Sequence, residues 1–179
     1  TQVQMDWTYL LSSNSAPTLD ASKSPTFTSE SQNPGAPSGA VGTLVSSLVD
    51  FATPSGQVDN VTDSDAGAQL GIAITAANTT NGSWWFSTNN GSTWSALGTA
   101  SESSARLLSA DANTRIYFQG NANYNGTMSD AITFRAWDQT SGTAGGIADL
   151  TAATSTVKDT FSTVSYNNNN GTANWSGNW

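Results

Sequence analysis

Asp63 and Asp65 stand two residues apart in Thr62-Asp63-Ser64-Asp65-Ala66-Gly67, a spacing that lets one loop aim two carboxylates at a single ion. Calcium takes several oxygen ligands at once and suits paired Asp side chains on a turn. The same residues also make ordinary turn caps, because an Asp side chain bonds backbone two residues on. Both readings are open at the level of sequence. Eleven of the thirteen carboxylates in the chain are Asp and two are Glu, against five Lys and Arg, for a net charge of −8. A chain this acidic repels nucleic acid and anionic lipid, and cations become its natural partners. Solubility in a salty or extracellular medium explains the charge equally well.

There is no Cys and no His. Cysteine nucleophiles, His-based triads and zinc or haem ligation through those residues are therefore excluded. Glycoside hydrolysis needs two positioned carboxylates. Asp63, Asp65 and Asp138 could converge, yet no base, nucleophile or oxyanion device is recognisable beside them. The chain reads as a non-enzyme.

Seven Trp in 179 residues is high. Trp85 and Trp137 are predicted to point away from the core, and Trp175 and Trp179 sit in a polar tail. Sugars stack on exposed aromatic faces, so these four offer a carbohydrate-binding reading. Packing against a second sheet or a neighbouring module is the competing explanation.

The elements that must position these residues are strands. Ser, Thr, Asn, Gly and Ala dominate, with Val, Ile and aromatics in short runs, which is the composition of an all-β protein with many turns. In residues 131–137, Ile132, Phe134 and Ala136 face inward while Thr133, Arg135 and Trp137 face outward. Leu70, Ile72 and Ile74 alternate in 70–76, and Ile116 and Phe118 share a face in 115–119. Trp84-Trp85-Phe86 and Trp94 flank Asn89-Asn90-Gly91, whose residues tolerate the positive φ of a tight turn. This hairpin is expected to bury Trp84, Phe86 and Trp94. A short strand is expected at Pro25–Ser29, and a short helix or irregular strand at Gly42–Val49. Residues 105–108 form a short apolar stretch, residues 139–156 a loop or weak edge strand, and residues 157–164 a final strand. Short strands at regular spacing predict an antiparallel β-sandwich.

Residues 1–11 alternate Val3, Met5, Trp7 and Tyr9 with Gln4, Asp6 and Thr8. That orphan strand, ahead of a linker, belongs to a preceding module or adds to the sheet of another copy. Trp7 and Tyr9 would then be partner contacts. No apolar run reaches the length of a membrane span and no signal peptide is visible. The chain begins in mid-pattern and stops after an aromatic motif, as a processed product or a piece of a longer protein would. The expected organisation is a strand or linker at 1–13, a sandwich module at 14–158, and a further module's start or a packing tail at 159–179.

Residues 14 to about 145 resemble the cadherin-like and immunoglobulin-like repeat modules of large bacterial surface proteins and adhesins. The resemblance rests on Asn14-Ser15-Ala16-Pro17, Thr62-Asp63-Ser64-Asp65, Gly82 through Trp94, Tyr124-Asn125-Gly126-Thr127, and Thr133-Phe134-Arg135-Ala136-Trp137-Asp138. Residues 87–94 are also similar to the Asp-box, a structural hairpin motif, with Asn89 where Asp is usual. Residues 159–179 resemble the start of another extracellular module. The resemblance implies an extracellular or cell-surface structural module with calcium at its junctions. Asp63 and Asp65 would be ligands, with Asp138 from the neighbouring sheet, Glu30 from the first strand and Asn14 from the linker. Neighbouring modules or identical subunits would be its partners. The linker has Ser12, Ser13 and Ser15 where cadherins place Asp, which lowers the expected ligand count.

Overall fold

The computed structural model describes residues 14–151. The segments at 1–13 and 159–179, the expected strand at 157–164, and the residues Trp7, Tyr9, Trp175 and Trp179 lie outside that range.

The chain is all-β, and its strands in order are β1 (Thr18–Leu19), β2 (Thr43–Leu44), β3 (Val61–Thr62), β4 (Gly71–Ala77), β5 (Gly82–Ser87), β6 (Ser95–Ala96), β7 (Ala105–Ser109), β8 (Arg115–Gly120), β9 (Ile132–Trp137) and β10 (Ile147–Ala148). One 3-10 turn, Val45–Ser47, follows β2, so the stretch 42–49 is part strand and part helical turn. Two four-stranded sheets, ordered β10-β7-β4-β9 and β2-β8-β5-β6, face each other as a sandwich. A two-stranded ribbon pairs β1 with β3. The pairings between these strands are antiparallel, and Phe51 adds an isolated parallel bridge to Val61.

Period-two alternation builds the core. In β4, Ile72 and Ile74 point between the sheets and meet Trp84, Phe86, Leu108 and Ile116 from β5, β7 and β8. Leu48 and Val45 close the same cluster. Each such side chain contributes about 1.5–3 kcal/mol through burial. Phe27, Trp84 and Phe118 stack as tilted rings with centroids 5.2 and 4.8 Å apart.

β4 is also covered on its other face. Ala73, Ala105, Leu107 and Trp137 form a second cluster under Ala144, Ala148 and Leu150. This corrects the expectation for Trp137. It does face away from the main core, but it is only 8 % exposed. Gly71, opposite it on β4, leaves room for the ring: a Cβ there would stand 2.7 Å from Trp137 Cε3. The segment after β9 then folds back over the indole, whose Nε1 donates to the Ser141 carbonyl (2.8 Å).

Two other expectations change. Trp94 does not enter the core. It is half-buried on the outer side of the second sheet, edge-on to Tyr117 at 5.9 Å, with Nε1 donating to the Gly39 carbonyl (3.2 Å). Residues 25–29 form no strand. Pro25 has no N–H to give a ladder, and the Thr28 amide donates to a side chain, Thr43 Oγ1 (2.8 Å).

Candidate functional site

Residues 14 and 15 bond two aspartates where they join the sandwich, and a third stands behind one of them. Asp138 follows the last residue of β9 and is held there by an Asx-type turn: Thr140 N and Oγ1 donate to its Oδ1 at 3.0 and 2.7 Å. Its other oxygen accepts from Asn14 Nδ2 (2.8 Å). Desolvation alone would raise the Asp138 pKa, but the bonds from Asn14 and Thr140 outweigh it and hold the carboxyl below its ordinary value. Asp65, in the loop after β3, accepts from the Ser15 amide at Oδ2 (2.6 Å). Asp65 N in turn donates to Asp63 Oδ1 (2.9 Å). Asn14 and Ser15 are thus the link that joins Asp138 to the Asp63–Asp65 loop, across the two ends of one short segment.

One atom in this network is left over. Asp63 Oδ2 is the only buried side-chain oxygen or nitrogen among the described residues that has no hydrogen-bond partner. A buried carboxylate oxygen without a donor costs more than a turn cap alone would justify. A cation would satisfy it. Among the described residues no group of three or more His, Cys, Asp or Glu side chains is arranged to hold a metal ion. Asp63, Asp65 and Asp138 thus do not make up such a group by themselves, and a calcium ion at Asp63 would need further oxygen ligands. Glu30 takes no part in this network. It stands elsewhere, on the rim of a cleft, where desolvation raises its pKa.

The hairpin turn is a different kind of structure. Ser87 Oγ accepts from the Gly91 and Asn89 amides at 2.9 and 3.3 Å and donates to Asn89 Oδ1 (2.9 Å). Asn89 Oδ1 accepts from Thr93 N (2.9 Å), and its Nδ2 donates to Thr93 Oγ1 (2.8 Å). Asn90 and Gly91 take φ of 53° and 82°. All three polar side chains serve the turn.

The cleft has a volume of about 820 Å³ and lies between the irregular residues 19–34 and the segment 118–134. Trp84, Phe118, Phe27 and Phe134 line it with Met128, and Tyr124 packs edge-on to Phe118 at 6.4 Å. Its mouth is rich in hydroxyls, among them Thr26, Ser29, Ser31 and Thr127. The volume is in the range of ligand pockets. Nothing in the residue pattern points to it, because residues 25–29 carry a strand's composition and Tyr124–Gly126 an ordinary turn's.

Arg106 was equally hidden. Its guanidinium lies over the Phe86 ring at 5.0 Å and donates to the Leu97 carbonyl (3.0 Å) and the Gly145 carbonyl (2.7 Å). Desolvation lowers its pKa. These bonds tie the two sheets together at one edge, a structural role. Trp85 remains half-buried on the outer face of β5, with Nε1 donating to Gln119 Oε1 (3.1 Å).

Comparison with protein-family models, with curated proteins and with solved structures found no match to this chain. No helix among the described residues is long and apolar enough to cross a membrane.

Proposed function

We propose that the chain is a non-catalytic structural or adhesive module of an extracellular surface protein or filament, braced by calcium where Asn14 and Ser15 meet the sandwich. The observation that carries this reading is the orphaned Asp63 Oδ2 beside the Asp65–Ser15 and Asn14–Asp138 bonds. A structural module needs the segment leading into it held, and the Asn14–Asp138 and Ser15–Asp65 bonds support that reading. A cation binding only the folded form would tighten it by mass action. The cadherin-like and immunoglobulin-like resemblance of the sequence points the same way.

The test is thermal unfolding in calcium and in excess chelator at matched ionic strength. Dissociation constants of extracellular calcium modules are about 0.1–1 mM, so millimolar calcium should stabilise by about 1–2 kcal/mol, or roughly 3–6 °C. Asp63→Asn should abolish the increment. An unchanged midpoint would reduce Asp63, Asp65 and Asp138 to turn caps.

Among the described residues, Trp85 favours a carbohydrate-binding reading. Trp85 keeps part of its surface exposed next to the Gln119 amide. Quenching of tryptophan fluorescence by soluble glycans, lost in Trp85→Ala, would support it.

A further inference from the structure

We propose that Asn125 is a self-modifying site: the Gly126 backbone nitrogen attacks the Asn125 side chain, and the residue becomes aspartate or isoaspartate without enzyme or cofactor. The described residues hold three Asn-Gly pairs, Asn81-Gly82, Asn90-Gly91 and Asn125-Gly126, and a fourth, Asn170-Gly171, lies outside them. Glycine after asparagine favours this reaction, because no Cβ hinders ring closure and the backbone turns freely. The three pairs share that chemistry, and the fold separates them.

Two of the pairs are locked. Gly82 is buried at the start of β5, opposite Gly120 of β8, and the Asn81 carbonyl accepts from the Asn121 amide (2.8 Å). A Cβ on Gly82 would overlap the Gln119 carbonyl oxygen, so its backbone has no room to swing. The nucleophile of the second pair, the buried Gly91 amide, donates to Ser87 Oγ (2.9 Å). Arg115 Nε holds the Asn90 side-chain oxygen (2.7 Å). Each of these pairs reacts only after its strand end or turn has opened.

Asn125-Gly126 stands apart. Asn125, Gly126 and Thr127 are exposed, in the irregular stretch between β8 and β9. Among the described residues, no hydrogen bond reaches residues 125–129. Tyr124 anchors the chain just before them: its amide donates to the Asn121 carbonyl (3.0 Å) and its ring stands edge-on to Phe118. The nucleophile and its target are therefore neither buried nor tied to the sheets.

The step balances with water alone. The bond from Gly126 N to Asn125 Cγ forms, the bond from Cγ to Nδ2 breaks, and ammonia leaves with the proton of the Gly126 amide. Water then opens the cyclic imide at either carbonyl. One opening gives aspartate; the other gives isoaspartate, with the main chain routed through the side-chain carbon. Both add one carboxylate to a chain of net charge −8, at the rim of the aromatic cleft. The isoaspartate also lengthens the backbone beside Tyr124. The reaction draws on no metal or partner and is independent of the structural-module reading.

The test incubates the full chain at mildly alkaline pH, folded and in denaturant. Peptide mapping by mass spectrometry follows conversion at each Asn, and isoaspartyl methyltransferase labelling identifies the isoaspartate. In denaturant the three pairs should react at similar rates. In the folded chain Asn125 should keep that rate within roughly threefold while Asn81 and Asn90 slow by roughly tenfold or more, since a protected amide reacts only from its open form. Gly126 has no positive φ, so Gly126→Ala suits the backbone there and should slow Asn125 roughly tenfold through its Cβ. Equal rates at the three pairs in the folded chain would overturn the proposal. So would an Asn125 slowed as much as Asn90, which is how cover from residues outside 14–151 would register. An Asn125 rate unmoved by Gly126→Ala would overturn it as well, because conversion would then bypass the Gly126 nitrogen.

Discussion

The hairpin turn at 87–94 and the aspartate junction at 14–15, 63–65 and 138–140 are built from the same parts. Both use short polar side chains that reach back to nearby amides. In the hairpin the accounting closes: Ser87, Asn89 and Thr93 satisfy one another and the turn's backbone. At the junction it does not, because Asp63 Oδ2 is buried with nothing to accept from. A closed network specifies a shape. A network with one open carboxylate oxygen leaves an acceptor that a water or a cation could meet. That difference separates a structural turn from a candidate site, even though the sequence motifs look alike.

The comparison breaks most severely at Gly91. A Cβ there would overlap the Gly39 carbonyl, and φ is 82°. Gly91→Val should cost about 3 kcal/mol or more, through strain and lost packing of the 35–42 loop. Chemical denaturation measures it, and a cost under about 1 kcal/mol would mean that the turn is looser than described. Next comes Ser87→Ala, which leaves the buried Gly91 amide without its acceptor. The expected loss is about 1–3 kcal/mol, with no dependence on calcium.

At the junction the expected sign depends on conditions. Without calcium, Asp63→Asn should be neutral or stabilising by up to about 1 kcal/mol, since it replaces an uncompensated carboxylate with a neutral amide. With calcium it should be the less stable protein, and equal destabilisation in both media would contradict an open carboxylate. Acid adds a further distinction. Asp138 and Asp111 both have folded pKa values below the ordinary carboxylate value. In each, desolvation is outweighed by hydrogen bonds, from Asn14 and Thr140 to Asp138, and from Ser109, Asn113 and Thr114 to Asp111. Their contribution is complete above the unfolded carboxylate range and is lost as pH falls through the folded values. The melting midpoint should hold from neutrality to about pH 5 and then drop, and Asp138→Asn should blunt the drop. The smallest effect belongs to Asn89→Asp, which completes the Asp-box pattern. Thr93 Oγ1 can turn to donate to the new carboxylate, so the change should stay within about 0.5 kcal/mol.

Much of the sandwich was legible because its strands alternate cleanly. Ile72 and Ile74, Ile116 and Phe118, and Ile132 and Phe134 all take the faces that their spacing dictates. The Asn90-Gly91 turn was legible because few residues tolerate its φ values. What failed was the assumption that an outward residue is an exposed one. Trp137 alternates outward as expected, but Gly- and Ala-rich residues 138–150 carry just enough apolar surface to cover it. Small residues give no periodic signal, so such a covering layer is invisible in sequence. Trp94 was misplaced for a related reason: the loop at 35–39 supplies its partner, and loops leave no pattern to read. At the junction, residue types and spacing brought Asn14, Asp63, Asp65 and Asp138 into consideration together. The lone unsatisfied oxygen depends on three-dimensional burial and could be seen only in the structure.

The most direct measurement is a calorimetric titration of calcium into the chain and into its Asp63→Asn variant, at fixed pH and salt. One site with a sub-millimolar to millimolar dissociation constant, lost in the variant, is the expected result. No binding to the chain, or binding that survives Asp63→Asn unchanged, would contradict a cation held at the junction.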